Sequence, residues 1–184
     1  MLGARYATTH PPGLKHLVIL SSPESLDLWV QSITDLRSKL PQDVKDVLDK
    51  HEADGTTASQ EYNDAVTFYY SRHLIRLSPW PDTIVEGFGW IATDPTVYLT
   101  MYGTGQFTVN GSLRNWSIIA DIPKIRVPTL VTNGAYDEAS DATVAPWARH
   151  LPHGKWVKFA NSSHMAHYEE RTKFMKVIKG FLQK

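Results

Sequence analysis

Asp137 and His164 are the residues whose types and spacing suggest chemistry. Asp137 stands in Asn133-Gly134-Ala135-Tyr136-Asp137-Glu138, and His164 closes Asn161-Ser162-Ser163-His164, 27 residues later. Each group follows a short apolar run, and the interval between them has room for one helix and one strand. A carboxylate and an imidazole at the ends of neighbouring strands can meet. The carboxylate then holds the imidazole tautomer and stabilises its cation, and the ring serves as general base. Plainer readings stand beside this one: an Asp that caps a helix, and a His in a solvated loop. His164 and His167 sit three apart, but no third ligand accompanies them in a zinc-like arrangement, so no metal site is expected.

The surrounding segments predict what would position these residues. His16-Leu17-Val18-Ile19-Leu20 is a short apolar run of the kind that forms a strand buried on both faces of a parallel sheet. Val127 to Gly134 and Trp156 to Ala160 predict two more strands. Helices are expected over 2–9, 25–40, from Pro41 onward, 59–77, 83–92, 142–150 and 170–183, the last with Phe174, Val177, Ile178 and Phe181 facing inward. Strands alternating with helices indicate an α/β fold with a parallel sheet, whose functional residues lie at the carboxyl ends of the strands. Residues 23–120 are too long for one crossover and predict an inserted helical cap, with 1–22 and 121–184 forming the α/β part.

Composition narrows the classes. The 184 residues are 42% hydrophobic and carry 19 basic and 19 acidic side chains, a net charge of zero that argues against nucleic-acid binding and against a polybasic membrane surface. There is no cysteine, which removes disulfides, thiolate metal sites and a cysteine nucleophile. No apolar run approaches the roughly 20 residues of a membrane span. Met1-Leu2-Gly3-Ala4-Arg5 lacks the pattern of a secretory signal, so the expected location is cytoplasmic. No cofactor is expected.

Several stretches, in this order, resemble one family. They are Leu14 to Pro23; Phe68-Tyr69-Tyr70-Ser71-Arg72-His73-Leu74 with Pro79-Trp80-Pro81; Gly111 to Trp116; Ile125 to Leu130 with Gly134-Ala135-Tyr136-Asp137-Glu138; and Ser163-His164 with Glu169-Glu170. Together they are similar to the proline iminopeptidase family of serine aminopeptidases, which have the α/β-hydrolase fold. The resemblance implies that Asp137 is the triad acid and His164 the triad base. It implies that Glu138 binds the free ammonium of a small peptide or amino-acid amide. The other reading of Glu138 is a first-turn helix carboxylate. Trp80, Trp90, Trp116, Tyr69, Tyr98 and Phe107 would form cap core or line an apolar pocket.

Two departures from the family pattern stand out. A second ammonium-binding carboxylate is replaced by Gln106, in Gly105-Gln106-Phe107, which accepts a hydrogen bond but carries no charge. The Gly-x-Ser-x-Gly elbow that would present the nucleophile occurs nowhere in the sequence. The resemblance places Met1 just past that elbow. The expectation is therefore the carboxyl-terminal portion of a hydrolase, inactive alone. Leu17–Leu20 would form an unpaired apolar strand edge that invites self-association. Two other roles are a truncated product acting as a binding or edge-pairing module, and a chain complemented by a separate partner that supplies the serine.

Overall fold

A computed structural model describes residues 1–183. Three parallel strands, β1 (Leu17–Leu20), β2 (Thr129–Gly134) and β3 (Gly154–Phe159), form one sheet in the order β1-β2-β3. Leu17 pairs with Thr129, and Thr129 in turn with Gly154. β2 is central and every one of its residues is buried. That burial explains its β-branched and apolar composition, since both faces and both edges are covered. β1, by contrast, was expected to be buried on both faces and is not. It has one strand neighbour among the described residues, and Leu20 is 44% exposed.

Helices α1 (Leu2–Ala7) and α7 (Asp141–His150) pack on the sheet. α7 buries Val144 and Trp147, and the Trp147 indole donates to the Ser22 carbonyl at 2.9 Å. β3 starts two residues earlier than its apolar pattern suggested, at Gly154. The predicted final helix is α9 (Arg171–Leu182), preceded by a short helix, α8 (Ala166–Glu169), that lay outside the expected span. Phe174 is its buried contact with β3, 5.6 Å from the Phe159 ring. Phe181 meets His16 edge-on instead of entering a core.

Between β1 and β2 lies the inserted helical cap: α2 (Leu26–Ser38), α3 (Gln42–Asp54), α4 (Gln60–His73), α5 (Asp82–Thr93) and α6 (Thr96–Met101). A 3-10 turn at Ile119–Lys124 then returns the chain to β2. The boundaries follow local chemistry. Ser25 and Ser59 cap α2 and α4 by accepting the Leu28 and Tyr62 amides, each at 3.2 Å. Gly55, with φ of 68°, ends α3 in the left-handed conformation that glycine adopts freely. Leu26, Trp29 and Ile33, at helical spacing, form the buried stripe of α2.

The cap enters and leaves at one place. Leu26 N–H donates to the Trp116 carbonyl at 3.0 Å and Ile118 N–H to the Glu24 carbonyl at 2.8 Å. α4 ends at His73, four residues short of the expected limit, and α5 buries none of its residues. Trp90 is 65% exposed, so it is not part of the cap core. Tyr69 and Phe107 are buried and pack edge to face at 5.0 Å.

Candidate active site

The carboxyl ends of β2 and β3 lie side by side, and the loops that leave them are stitched together. Ala135 N–H donates to the Phe159 carbonyl at 2.9 Å and Tyr136 N–H to the Ser162 carbonyl at 3.0 Å. Gly134 makes this approach possible, because a β-carbon there would meet the Ser162 and Ser163 carbonyl oxygens at 2.2 and 2.3 Å. Buried Asn133 braces the first loop. It donates to the Ala139 carbonyl and to Asp141, each at 3.1 Å, and accepts the Trp156 indole N–H at 2.8 Å.

The two loops bring Asp137 and His164 together. His164 Nδ1 lies 2.9 Å from Asp137 Oδ1. The Asp137 side chain is fully buried, and backbone amides of Ala139 (2.8 Å, on Oδ1) and Gly134 (3.2 Å, on Oδ2) donate to it. With His164, three donors fix the orientation of the carboxylate. On His164 burial works against the charged ring. The charge and hydrogen bond of Asp137, with Glu138 and Glu169 behind them, outweigh it and push the imidazole up to about 9. The ring borders a cavity of about 390 Å³ walled by Leu20, Ser21, Leu26, Trp29 and Tyr102. Trp29 stands edge-on to the imidazole at 6.1 Å.

Glu138 is the second buried carboxylate of the site. Its backbone is held by the cap: the carbonyl accepts the Ser32 hydroxyl of α2 at 2.6 Å, and the amide donates to the His73 carbonyl of α4 at 3.2 Å. Its Oε2 and the Tyr69 hydroxyl are both buried and face each other, and neither meets any other hydrogen-bond partner among the described residues. Burial pushes the Glu138 carboxyl up to about 7, against the pull of the His164 cation. Burial first, and the Glu138 charge behind it, raises the phenols of Tyr69, Tyr70, Tyr98 and Tyr102. A buried carboxylate whose hydrogen-bond partners among the described residues include a tyrosine hydroxyl but no cationic side chain suits an organic cation, which gains a charge-assisted hydrogen bond.

Gln106 is not joined to this group directly. Its side-chain oxygen accepts the Tyr98 hydroxyl at 3.3 Å and its carbonyl accepts the Tyr102 hydroxyl at 3.0 Å. Tyr102 in turn accepts the Trp29 indole at 3.1 Å, so Gln106 reaches the His164 cavity through Tyr102. No three metal-ligating side chains converge among the described residues.

Two features had no signal in the sequence. Glu24, just past β1, is wholly buried with neither carboxylate oxygen partnered among the described residues, and burial pushes its carboxyl up to about 7. A Glu in a Ser-Ser-Pro turn reads as a surface residue. The Ser32 contact to Glu138 bridges 106 residues and has no local pattern.

The strand order and the acid–imidazole pair at adjoining strand ends define the class. The chain has the architecture of the carboxyl-terminal part of an α/β hydrolase, with three parallel strands, flanking helices and an inserted helical cap. Within that class it is a homologue of the proline iminopeptidases. It is 35% identical over 181 residues to the proline iminopeptidase of Saccharolobus solfataricus, a match covering 98% of this chain and 58% of that protein. The crystal structure of proline iminopeptidase from Mycobacterium smegmatis matches with a TM-score of 0.92 and 38% identity, over all of this chain and 61% of that one. The crystal structure of VinJ matches with a TM-score of 0.96 and 43% identity, over all of this chain and 62% of that one. No family model matches the chain. It therefore spans about three-fifths of the length of the relatives it matches. No described helix is long and apolar enough to cross a membrane.

Proposed function

We propose that the chain carries the acid–base and ammonium-binding half of a serine aminopeptidase or amino-acid amidase, with residues 23–120 as its cap. The observation that carries this reading is the 2.9 Å contact between His164 Nδ1 and the fully buried Asp137, which leaves the Nε2 side of the ring for a reacting group. In this reading Nε2 takes the proton of an attacking serine hydroxyl and returns it to the departing amine, while Asp137 stays ionised. Glu138 holds the substrate ammonium, and Gln106 supports it through Tyr98. The serine and the oxyanion donors lie outside these 184 residues, in the part of the relatives that this chain does not span, so the chain alone is inactive.

A substrate ammonium has a second effect in this arrangement. Docked on Glu138, it removes one of the negative charges that keep the imidazole protonated, so it readies His164 to act as a base. NMR titration of His164 in the 184-residue chain tests this. L-Prolinamide should lower the His164 midpoint, N-acetylprolinamide should leave it unmoved, and Glu138→Gln should abolish the difference. Equal responses to both amides would remove the ammonium site from the account.

The edge of β1 favours a second reading, in which the chain pairs with another copy or a partner. Leu2, Tyr6 and Leu20 are exposed to 83%, 57% and 44% beside a strand that pairs on one side among the described residues. Sedimentation over a range of concentrations tests it: a monomer throughout would exclude self-pairing.

A further inference from the structure

Glu169, in α8, has no part in the chemistry proposed above, yet its carboxylate is filled by donors from two parts of the fold. Oε1 accepts the Ser163 hydroxyl at 2.8 Å and the Arg76 backbone amide at 2.6 Å, and Oε2 accepts the Ser163 backbone amide at 2.5 Å. Ser163 is wholly buried and directly precedes His164. Arg76 lies just beyond α4, in the cap. One carboxylate thus joins the peptide unit before the imidazole to a cap residue 93 positions earlier in the chain.

The same short stretch of the cap grips the neighbouring loop. His73 accepts the Glu138 amide through its carbonyl, and its Nδ1 donates to the Tyr136 carbonyl at 2.9 Å. The Arg76 guanidinium covers the Tyr136 ring at 3.7 Å and donates to the Asn161 carbonyl at 3.3 Å. Residues 73–76 therefore touch both the loop that carries Asp137 and the loop that carries His164. Hydrogen bonds to an ionised acceptor are about twice as strong as neutral ones, so the Glu169 contacts are the firmest part of this strap.

We propose that Glu169 is a positioning residue for His164, locking the peptide unit before the imidazole to Arg76 so that the seating of the cap and the His164–Asp137 contact form one coupled unit. The proposal rests on the reading of His164 as the proton acceptor of the site. The charged groups that face the ring are Asp137 and Glu138 from one loop, and Glu169 and His167 from α8, with Met1 lining the same cavity. The three carboxylates favour the protonated ring and a charged His167 opposes it.

The test uses NMR on the 184-residue chain, reading the His164 titration and the hydrogen exchange of single amides. In Glu169→Gln the side-chain NH2 must oppose the amide of either Ser163 or Arg76. The expected result is a loss of protection of about tenfold or more at one of these amides. The His164 midpoint should also fall by about half to one pH unit. Ser163→Ala removes the hydroxyl contact alone and should leave the midpoint near its starting value. Wild-type protection at both amides together with an unmoved midpoint in Glu169→Gln would overturn the proposal. Should Glu169→Gln fail to fold, Glu169→Asp replaces it. The shorter side chain cannot span both donors, and undiminished protection at both amides would overturn the proposal equally. Asp137→Asn separates this failure from a wider one: if it too leaves the midpoint unmoved, the proton-acceptor reading itself is wrong.

Discussion

Gly134 and Ser162 approach so closely that a β-carbon on the glycine would lie 2.2 Å from the Ser162 carbonyl oxygen. This contact sets the distance between the strand ends that hold Asp137 and His164. Gly134→Ala forces backbone against backbone, with no flexible side chain to yield. We predict a loss of stability of about 2 kcal/mol or more, together with a weakened His164–Asp137 contact. Thermal melts and the His164 titration check both effects. A variant that melts like the wild type would show that the loops have slack that the geometry denies.

Asp137 should govern the imidazole. Asp137→Asn keeps the shape of the side chain but removes the charge and sets an NH2 against one of the two backbone amides, Gly134 or Ala139, that need an acceptor. The His164 midpoint, about 9 in the intact site, should fall by about one to two pH units. The raised midpoint also ties stability to pH. The stabilising contribution of His164 is full below its unfolded value near 6.5 and is lost as pH rises through about 9. Melting temperature against pH should therefore decline over that interval, and Asp137→Asn should flatten the decline.

Glu24 makes a separate prediction at lower pH. Its carboxyl lies near 7 in the fold against 4.5 unfolded, because burial disfavours the ion and an interaction with its own backbone amide offsets this only in part. A group raised in this way stabilises the fold below its unfolded value, and that contribution is lost as pH rises toward 7. Glu24→Gln should be nearly neutral at about pH 4 and stabilising by on the order of 3 kcal/mol at about pH 8. Chemical denaturation at both pH values measures it. Equal effects at the two would mean that Glu24 finds a partner in solution.

The exposed edge of β1 predicts association. Leu20→Lys places a charge at its end, a device by which edge strands avoid pairing. Concentration-dependent sedimentation of the wild-type chain should be reduced in this variant.

How much of this was legible in the residues varies with the range of the interaction. The three strands and most helices were readable because apolar runs, serine N-caps and the Gly55 and Gly134 turns act locally. Asp137 and His164 could be paired because strand ends in a parallel sheet adjoin. The apolar run Leu17–Leu20 looks alike at the centre and at the edge of a sheet, so its composition alone points to burial on both faces; the open edge that exposes Leu20 is legible only from the family resemblance. The burial of Glu24 and the hold of Ser32 on Glu138 depend on packing between segments far apart in sequence, and no local pattern encodes them. Gln106 was visible as a departure from a family pattern, but its ties to Tyr98 and Tyr102 needed coordinates.

The central claim is that His164 and Asp137 form the acid–base half of a serine hydrolase acting on substrates with a free amino group. The most direct measurement joins this chain to the amino-terminal two-fifths of the Saccharolobus solfataricus proline iminopeptidase and follows hydrolysis of prolyl and alanyl arylamides. The account predicts hydrolysis that His164→Ala abolishes, that Asp137→Asn lowers by about 10³-fold or more, and that N-acetylation of the substrate blocks. A folded chimera that hydrolyses neither arylamide, or one whose activity survives His164→Ala, would contradict it.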